Sequence, residues 1–158
     1  MSFDETPAGG SSMEPKFQVQ LKIQKPVAEV FDAVINPKKL SGYFVQAASA
    51  PMVEGTTVKW RFAEVPGEHD VVIRTVAKDE RIAFEWEAAG GGYNTLVEML
   101  FKPIDERNTL VQIRESGWKT DAKGIEASYD NCGGWMHMML CLKGYLEFGI
   151  NLRAGGAF

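Results

Sequence analysis

The sequence predicts an α+β domain in which a curved antiparallel sheet of about six to seven strands wraps around a long carboxy-terminal helix, with a short helix pair after the first strand. Two observations predict this fold. Apolar residues alternate with period two through the middle of the chain, and helical spacing dominates its last quarter. The chain also lacks the strand–helix–strand alternation of a parallel α/β fold, which argues against that class.

The chain opens with a segment that has almost nothing apolar to bury. We expect residues 1–15, rich in Gly, Ser, Pro and acidic side chains, to form a disordered tail. Residues 17–23 then alternate apolar and polar side chains, which predicts a strand with one buried face. Pro26 suits the first turn of a helix, and Asn36-Pro37 ends that helix before a second short turn.

The middle of the chain predicts an antiparallel meander whose strands are separated by turn residues. For the strand at residues 71–76, the pattern does not show which side chains point inward. In the other strands, the side chains expected to point inward are Val58, Trp60, Phe62, Ile82, Phe84, Trp86, Val97, Met99, Phe101, Val111 and Ile113. This aromatic face needs a partner to cover it.

Residues 125–150 supply that partner as a helix of about 39 Å. Trp135, Met139 and Leu142 recur at the three- and four-residue spacing of one helical face. Gly133 and Gly134 each lower helix stability by about 1 kcal/mol relative to alanine. The pair therefore predicts a bend or a close approach of another backbone.

A chain of 158 residues is long enough for one domain with its own core. We expect that domain to cover residues 16–152 and to be followed by a flexible tail at residues 153–158. A net charge of −4 without a basic block argues against nucleic acid as a partner. No apolar run approaches the ~20 residues of a membrane span.

The two cysteines and the chain start predict the compartment. Cys132 and Cys141 would lie about 13 Å apart along a helix, too far for a disulfide. The chain start also lacks the features of a secretory signal. Two free thiols without an export signal predict a cytoplasmic protein.

A sheet curled around a helix leaves a space between the two, where a small molecule can bind. The side chains expected to line it are Trp60, Phe62, Phe84, Trp86, Tyr93, Met99, Trp135, Met136 and Met139. Methionine adapts to irregular shapes and suits permissive binding, although simple core filling explains the same residues equally well. The hydroxyl groups of Tyr93 and Tyr129 could reach the mouth of such a cavity.

Glu115 is the one candidate for acid–base chemistry. Strict alternation with Val111 and Ile113 turns its carboxylate inward, where it needs a partner or a proton. It could then orient a polar ligand group or exchange a proton with a substrate. The alternative is a place at the sheet margin, capped by solvent or by a nearby arginine.

The remaining polar residues predict no cofactor and no metal. His69 follows a Pro-Gly turn and should be exposed, and His137 lies well round from the core face of its helix. Neither has the ligand spacing of a zinc site. The sequence contains no dinucleotide fingerprint and no phosphate-binding loop.

Five segments in order resemble the branch of the Bet v 1/START-like (SRPBCC) superfamily that is typified by activators of Hsp90 ATPase (AHSA1-like). The resemblance extends over about residues 17–150 and is carried by residues 25–33, Arg81–Trp86, Asn108–Val111, Glu115–Gly117, and Gly134-Trp135 followed by Met139, Leu142 and Leu146. It implies a helix-grip fold with a central cavity. One departure is Glu54-Gly55, where the family usually has two glycines.

The resemblance leaves three functions open, because members bind apolar molecules, assist a chaperone, or catalyse cyclisation and hydrolysis. Our leading interpretation is a non-enzymatic domain that binds an apolar or aromatic small molecule. The alternatives are a cyclase or hydrolase that uses Glu115, and an Hsp90 co-chaperone-like interaction protein. Eukaryotic Hsp90 activators carry a further amino-terminal domain for which this chain has no room, so we do not expect Hsp90 to be a partner. A homodimer would cover apolar groups such as Phe44 and Phe148.

Overall fold

The computed structural model describes residues 13–158, so residues 1–12 of the expected amino-terminal tail lie outside the described part of the chain. Seven antiparallel strands form one sheet in the order β1-β7-β6-β5-β4-β3-β2. The strands are β1 (Lys16–Ile23), β2 (Ala47–Ala48), β3 (Thr57–Arg61), β4 (Glu68–Ala77), β5 (Arg81–Glu87), β6 (Asn94–Asp105) and β7 (Asn108–Ser116). The predicted α+β class and the predicted meander are confirmed.

Two short helices and one long helix complete the domain. Helices α1 (Val27–Ile35) and α2 (Pro37–Leu40) follow β1, and α3 (Ala122–Phe148) follows β7. Asn36 separates the short pair, ending α1 and accepting a hydrogen bond from the Lys38 N–H at 3.0 Å. Among residues 13–158, no helix is both long enough and apolar enough to cross a bilayer.

The register of the sheet sets which side chains face α3. Val97 on β6 and Phe17 on β1 both lie opposite Glu115 on β7, so the alternation along β7 turns Glu115 to the same face as Ile113. On β4 the register shifts between Ile73 and Thr75. This irregularity explains why a period-two pattern could not assign the inner face of residues 71–76.

Helix α3 begins three residues before the predicted start, because Asp121 caps it. The Asp121 side chain accepts a hydrogen bond from the Gly124 N–H at 2.8 Å. The helix ends at Gly149, which adopts the left-handed conformation with φ of 67°. It runs without interruption through Gly133 and Gly134, and no neighbouring backbone approaches either of them. The predicted close approach at this pair is therefore wrong.

The core lies between the concave face of the sheet and α3. The Trp135 ring stacks on Trp86 with centroids 5.4 Å apart, and its centroid is 6.2 Å from that of Phe84. Trp60 packs edge-on to Phe84 at 5.4 Å. Phe44, which we named as an apolar group that a homodimer would cover, is only 8% exposed because it packs against Trp60 and Trp135.

The last ten residues, 149–158, form a carboxy-terminal segment that folds back beside α3. Arg153 in this segment makes an ion pair with Glu64, with Nη2 at 2.5 and 3.0 Å from the two carboxylate oxygens. The side chains of Arg153 and Glu64 are only 13% and 8% exposed. The flexibility predicted for residues 153–158 stays a prediction, but this pair ties its first residue to the loop after β3.

Candidate functional site

A cavity of about 680 Å³ opens at one end of the core, between α3, the sheet and the carboxy-terminal segment. Four aromatic rings form its apolar wall: Phe44, Phe62, Trp86 and Trp135. Its polar side chains are Glu64, Asp130, Asn131, His137 and Arg153. Val65, Ala157 and Phe158 contribute to its edge, and Gly133 and Gly134 present bare helix backbone to it. An aromatic wall with a few polar groups is typical of small-molecule sites.

The structure brings only three of the nine predicted lining residues to this cavity, namely Phe62, Trp86 and Trp135. Four others, Trp60, Phe84, Met99 and Met139, are at most 1% exposed and fill the space between sheet and helix. Met136 packs against the same core. The expected interior is thus occupied by large side chains, and the open space lies beside it.

Tyr93 and Tyr129 are also away from the cavity. The Tyr93 hydroxyl accepts a hydrogen bond from the Lys119 N–H at 3.2 Å, and its ring packs in a separate cluster with Trp118. Tyr129 is 73% exposed on the outer side of α3. The expectation that their hydroxyls reach the cavity mouth is wrong, because the loop before β6 places Tyr93 against Trp118 and the helix directs Tyr129 to solvent.

Glu115 is the centre of a hydrogen-bond network behind the cavity wall. Its Oε1 accepts from Trp135 Nε1 at 2.8 Å, and its Oε2 accepts from Thr95 Oγ1 at 2.7 Å and Trp86 Nε1 at 3.0 Å. Asn131 Nδ2 lies 3.1 and 3.2 Å from the two oxygens. We call these five residues the Glu115 network.

The network decides between the two predicted positions of Glu115. The side chain points inward and the residue is 1% exposed, so a place at the solvent-capped sheet margin is wrong. Its partners are four donors, not an arginine. An ionised carboxylate accepts hydrogen bonds at both oxygens, and buried polar groups are stable only when they are paired in this way.

Three members of the Glu115 network, Trp86, Asn131 and Trp135, are also cavity-lining residues. Glu115 itself does not line the cavity. Its hydrogen bonds fix the two indole rings and one amide from behind, and rigid support of this kind is what a preorganised binding site requires. Glu115 therefore holds three side chains of the cavity wall without lining the cavity itself.

The glycine pair creates part of the cavity. A Cβ atom added at Gly133 or at Gly134 would meet no heavy atom within 4 Å. The absence of side chains here leaves space next to the Trp135 ring, although each glycine lowers the stability of the helix.

His137, which we placed well round from the core face of its helix, lines the cavity beside the core. Its Nδ1 is 3.4 Å from Arg153 Nη1, and its Nε2 is 3.6 Å from the Cys141 sulfur. Burial raises the pKa of the Cys141 thiol, while the Arg153 charge acts in the opposite direction. A raised pKa leaves this sulfur as an unreactive thiol.

We predicted that His69 is exposed, but its side chain is partly buried. Its ring packs against Phe62 with centroids 5.7 Å apart, and its Nε2 is buried without a hydrogen-bond partner. It faces inward because it pairs with Trp60 across β3 and β4. In the described part of the chain, no group of three His, Cys, Asp or Glu side chains is arranged to hold a metal ion.

Sequence reasoning missed Glu64, Asn131 and Arg153 as site residues. Glu64 and Arg153 are 89 positions apart in the chain, so no local pattern connects them. A signal for Asn131 was present, because it precedes Trp135 by one helical turn and therefore shares a face with it. The glycine pair also carried a signal, but neither of the two explanations that we gave for it was a cavity lined by bare helix backbone.

The family model for "Activator of Hsp90 ATPase homolog 1-like protein" matches residues 24–147 of this chain. Proteins with curated functions gave no match. A crystal structure of the protein SSP2350 from Staphylococcus saprophyticus is 26% identical in sequence, with a TM-score of 0.74. That comparison covers 87% of this chain and 96% of SSP2350.

Two further solved structures share the fold. DynU16, a protein from the dynemicin biosynthetic locus, has a TM-score of 0.76 and 24% identity over 87% of this chain, and the match covers 49% of DynU16. The Aha1 dimer from Colwellia psychrerythraea, solved in solution, has a TM-score of 0.69 and 20% identity. That match covers 85% of this chain and 97% of the Colwellia protein.

Proposed function

This chain belongs to the family of activator of Hsp90 ATPase homolog 1-like proteins, and on that premise we propose that it is a START-like domain that binds an aromatic small molecule. The ligand occupies the cavity between α3, the sheet and the carboxy-terminal segment. The observation that carries this proposal is the Glu115 network, in which a buried carboxylate holds two tryptophans of the cavity wall in place.

The cavity wall favours a flat, aromatic ligand. Trp86 and Trp135 are stacked with an interplanar angle of 29°, and Phe44 and Phe62 stand nearly at right angles to each other at 71°. Each aromatic contact with a ligand ring contributes about 0.5–1.5 kcal/mol beyond the area buried. The volume of about 680 Å³ also lies within the range of small-molecule sites.

The glycine pair supports the same proposal. Gly133 and Gly134 are not required by any neighbouring backbone, so alanine would fit at both positions and would stabilise the helix. A binding role explains why α3 has glycine instead of the more stabilising alanine at both positions. Side chains at these positions would occupy the space next to Trp135.

The geometry of Glu115 supports binding over catalysis. A general base must reach the proton that it removes within hydrogen-bond distance. Glu115 is enclosed by four donors of its own protein and does not line the cavity. A cyclase or hydrolase mechanism through Glu115 would therefore require the network to open, whereas a binding role uses it intact.

The binding proposal is tested with purified full-length protein and a panel of flavonoids and aromatic polyketides. Binding at 100 times the Kd raises the free energy of unfolding by about 2.7 kcal/mol, which a thermal-shift assay detects as a higher Tm. We expect Gly134→Leu to weaken binding by at least about tenfold by filling the cavity. Glu126→Leu is the matched control, since Glu126 is exposed on α3 and outside the cavity. No stabilisation by any compound, or full binding by the Gly134→Leu variant, would refute the proposal.

We also propose a cytoplasmic location and self-association. Cys132 and Cys141 are both free thiols, which suits a reducing compartment.

Self-association is supported by exposed apolar side chains that gather where α3 ends. Phe148 is 68% exposed, Ile150 47% and Leu152 51%. The structurally similar Colwellia protein is described as a dimer. Light scattering after size exclusion should give twice the chain mass, and a monomer mass at all concentrations would contradict self-association.

A further inference from the structure

We infer that the ligand is an uncharged aromatic molecule carrying a hydrogen-bond donor such as a hydroxyl group, and that the side-chain oxygen of Asn131 accepts this hydrogen bond. The inference rests on the proposed binding function and specifies the ligand class for the same cavity. It follows from how Glu115 orients the Asn131 amide and from the charges around the cavity.

The orientation of the Asn131 amide is determined by Glu115. Nitrogen and oxygen of an asparagine amide are assigned from their hydrogen-bond partners. The Asn131 atom that faces Glu115 lies 3.1 and 3.2 Å from its two carboxylate oxygens, and a carboxylate accepts at both. The NH₂ group must therefore face Glu115, and Oδ1 is directed to the other side of the amide.

Asn131 Oδ1 is available to a ligand. Within residues 13–158 no donor reaches this oxygen, and it is not among the fully buried polar atoms that lack a partner. Asn131 lines the cavity together with Trp86 and Trp135. The oxygen is therefore an accessible acceptor on a residue that lines the cavity, and an acceptor selects a ligand that brings a donor.

The charges around the cavity disfavour an anion. Its lining includes two carboxylates, Glu64 and Asp130, and one guanidinium, Arg153. Arg153 is already paired with Glu64 through both carboxylate oxygens. The His137 Nδ1 accepts from the same guanidinium, because arginine only donates. A ligand carboxylate placed near Arg153 would also lie near Glu64, which would repel it.

The hydroxyl requirement is tested with three compounds that share one ring system. We would titrate the full chain at pH 7 with 2-naphthol, 2-methoxynaphthalene and 2-naphthoate and measure each Kd by calorimetry. We expect 2-naphthol to bind about 3- to 10-fold more tightly than 2-methoxynaphthalene, as one added hydrogen bond predicts. We expect 2-naphthoate to bind most weakly of the three.

Two variants assign the effect to Asn131. Asn131→Leu removes the acceptor, so the preference for 2-naphthol over 2-methoxynaphthalene should fall to within about twofold. Ser128→Ala removes a hydrogen bond to the Ile125 carbonyl within α3 and lies outside both the cavity and the Glu115 network, so the preference for 2-naphthol should remain in this variant. If Asn131→Leu does not fold, the side-chain NH₂ resonances of Asn131 in the unmodified protein should shift more with 2-naphthol than with 2-methoxynaphthalene.

The outcomes separate this inference from the binding proposal. Equal affinity for 2-naphthol and 2-methoxynaphthalene would overturn the role of Asn131 and leave the cavity as an aromatic binding site. Tightest binding of 2-naphthoate would overturn the uncharged class in favour of anion recognition by Arg153. Binding of none of the three compounds would overturn this inference, and failure of the flavonoid and polyketide panel as well would overturn the binding proposal.

Discussion

At the scale of single residues, Glu115 shows how a buried carboxylate can support the wall of a cavity without lining the cavity itself. It lies in a strand whose alternation turns it inward, and its four donors come from β5, β6 and α3. A carboxylate with too few donors in this place would be strongly destabilising. The burial that makes Glu115 resemble a catalytic acid therefore explains its structural role.

Replacing Glu115 should reveal how much stability the network contributes. In Glu115→Gln the new NH₂ group would face donors, so several partners would lose their acceptor. We expect the free energy of unfolding in urea to fall by about 2–4 kcal/mol. The control is Glu98→Gln, which breaks a partly exposed pair with Arg81 at 2.8 Å and should cost less than about 1 kcal/mol. Equal losses in both variants would contradict the role of the network.

At the scale of elements, α3 contains glycines with opposite structural roles. Alanine at Gly133 or Gly134 meets no neighbouring atom, so Gly133→Ala and Gly134→Ala should each raise the free energy of unfolding by about 1 kcal/mol. At Gly124 an added Cβ would lie 1.9 Å from the Lys119 carbonyl oxygen, so Gly124→Ala should be strongly destabilising. Urea unfolding of the three variants measures whether each one gains or loses stability. A destabilised Gly134→Ala variant would contradict the open geometry at the cavity.

The end of α3 is joined to the residue that follows β1 through Glu147. Glu147 accepts hydrogen bonds from the Gln24 N–H at 2.9 Å and from Lys143 Nζ at 2.6 Å. Burial by itself raises the pKa of Glu147, but the Gln24 and Lys143 hydrogen bonds together with nearby lysine charges lower it below the ordinary value of 4.5. A lowered pKa in the folded state means that the ionised carboxylate stabilises the fold.

This contact should weaken in acid. Its contribution is present above the unfolded pKa of about 4.5 and is lost as the pH falls through the lower folded value. We expect Glu147→Gln to be less stable than the natural protein near pH 6, and the difference to shrink toward about pH 3. Urea unfolding across this pH range measures the difference in the free energy of unfolding between the variant and the natural protein. Glu126→Gln, on the exposed face of α3, is the control. A difference that is constant with pH would contradict this assignment.

At the scale of the whole molecule, one ion pair joins distant parts of the chain at the cavity edge. Arg153 in the carboxy-terminal segment pairs with Glu64 in the loop after β3, and its guanidinium lies 5.5 Å from the centre of the Phe44 ring. These contacts place residues 153–158 beside the cavity, where Ala157 and Phe158 contribute to the lining.

Removal of this pair should release the segment without unfolding the domain. In Arg153→Gln the Glu64 carboxylate can become hydrated only if the segment moves away, since both side chains are largely buried. We expect amide hydrogen exchange of residues 149–156 to accelerate by at least about tenfold, with little change in α3. Arg74→Gln, which breaks a pair between Arg74 and Glu85 on the sheet, is the control. Unchanged exchange in the segment would show that other contacts hold it.

The sequence by itself determined the class of fold and the composition of the core. Alternation identified β1, β3, β5, β6 and β7, and helical spacing placed Trp135 and Met139 opposite Trp60 and Phe84. Alternation along β7 also predicted that Glu115 points inward. These features are predictable because period and burial are local properties, and each follows from which side of a strand or helix a residue occupies.

Only the tertiary structure decided what the interior contains and where the cavity lies. Whether Trp60 and Met99 line a space or fill it depends on the distance between sheet and helix, which no local pattern encodes. The pairing of Glu64 with Arg153, and the donors around Glu115, join residues that are far apart in sequence. Long-range contacts of this kind exist only once the sheet has closed on α3, and for that reason they could not be derived from the sequence.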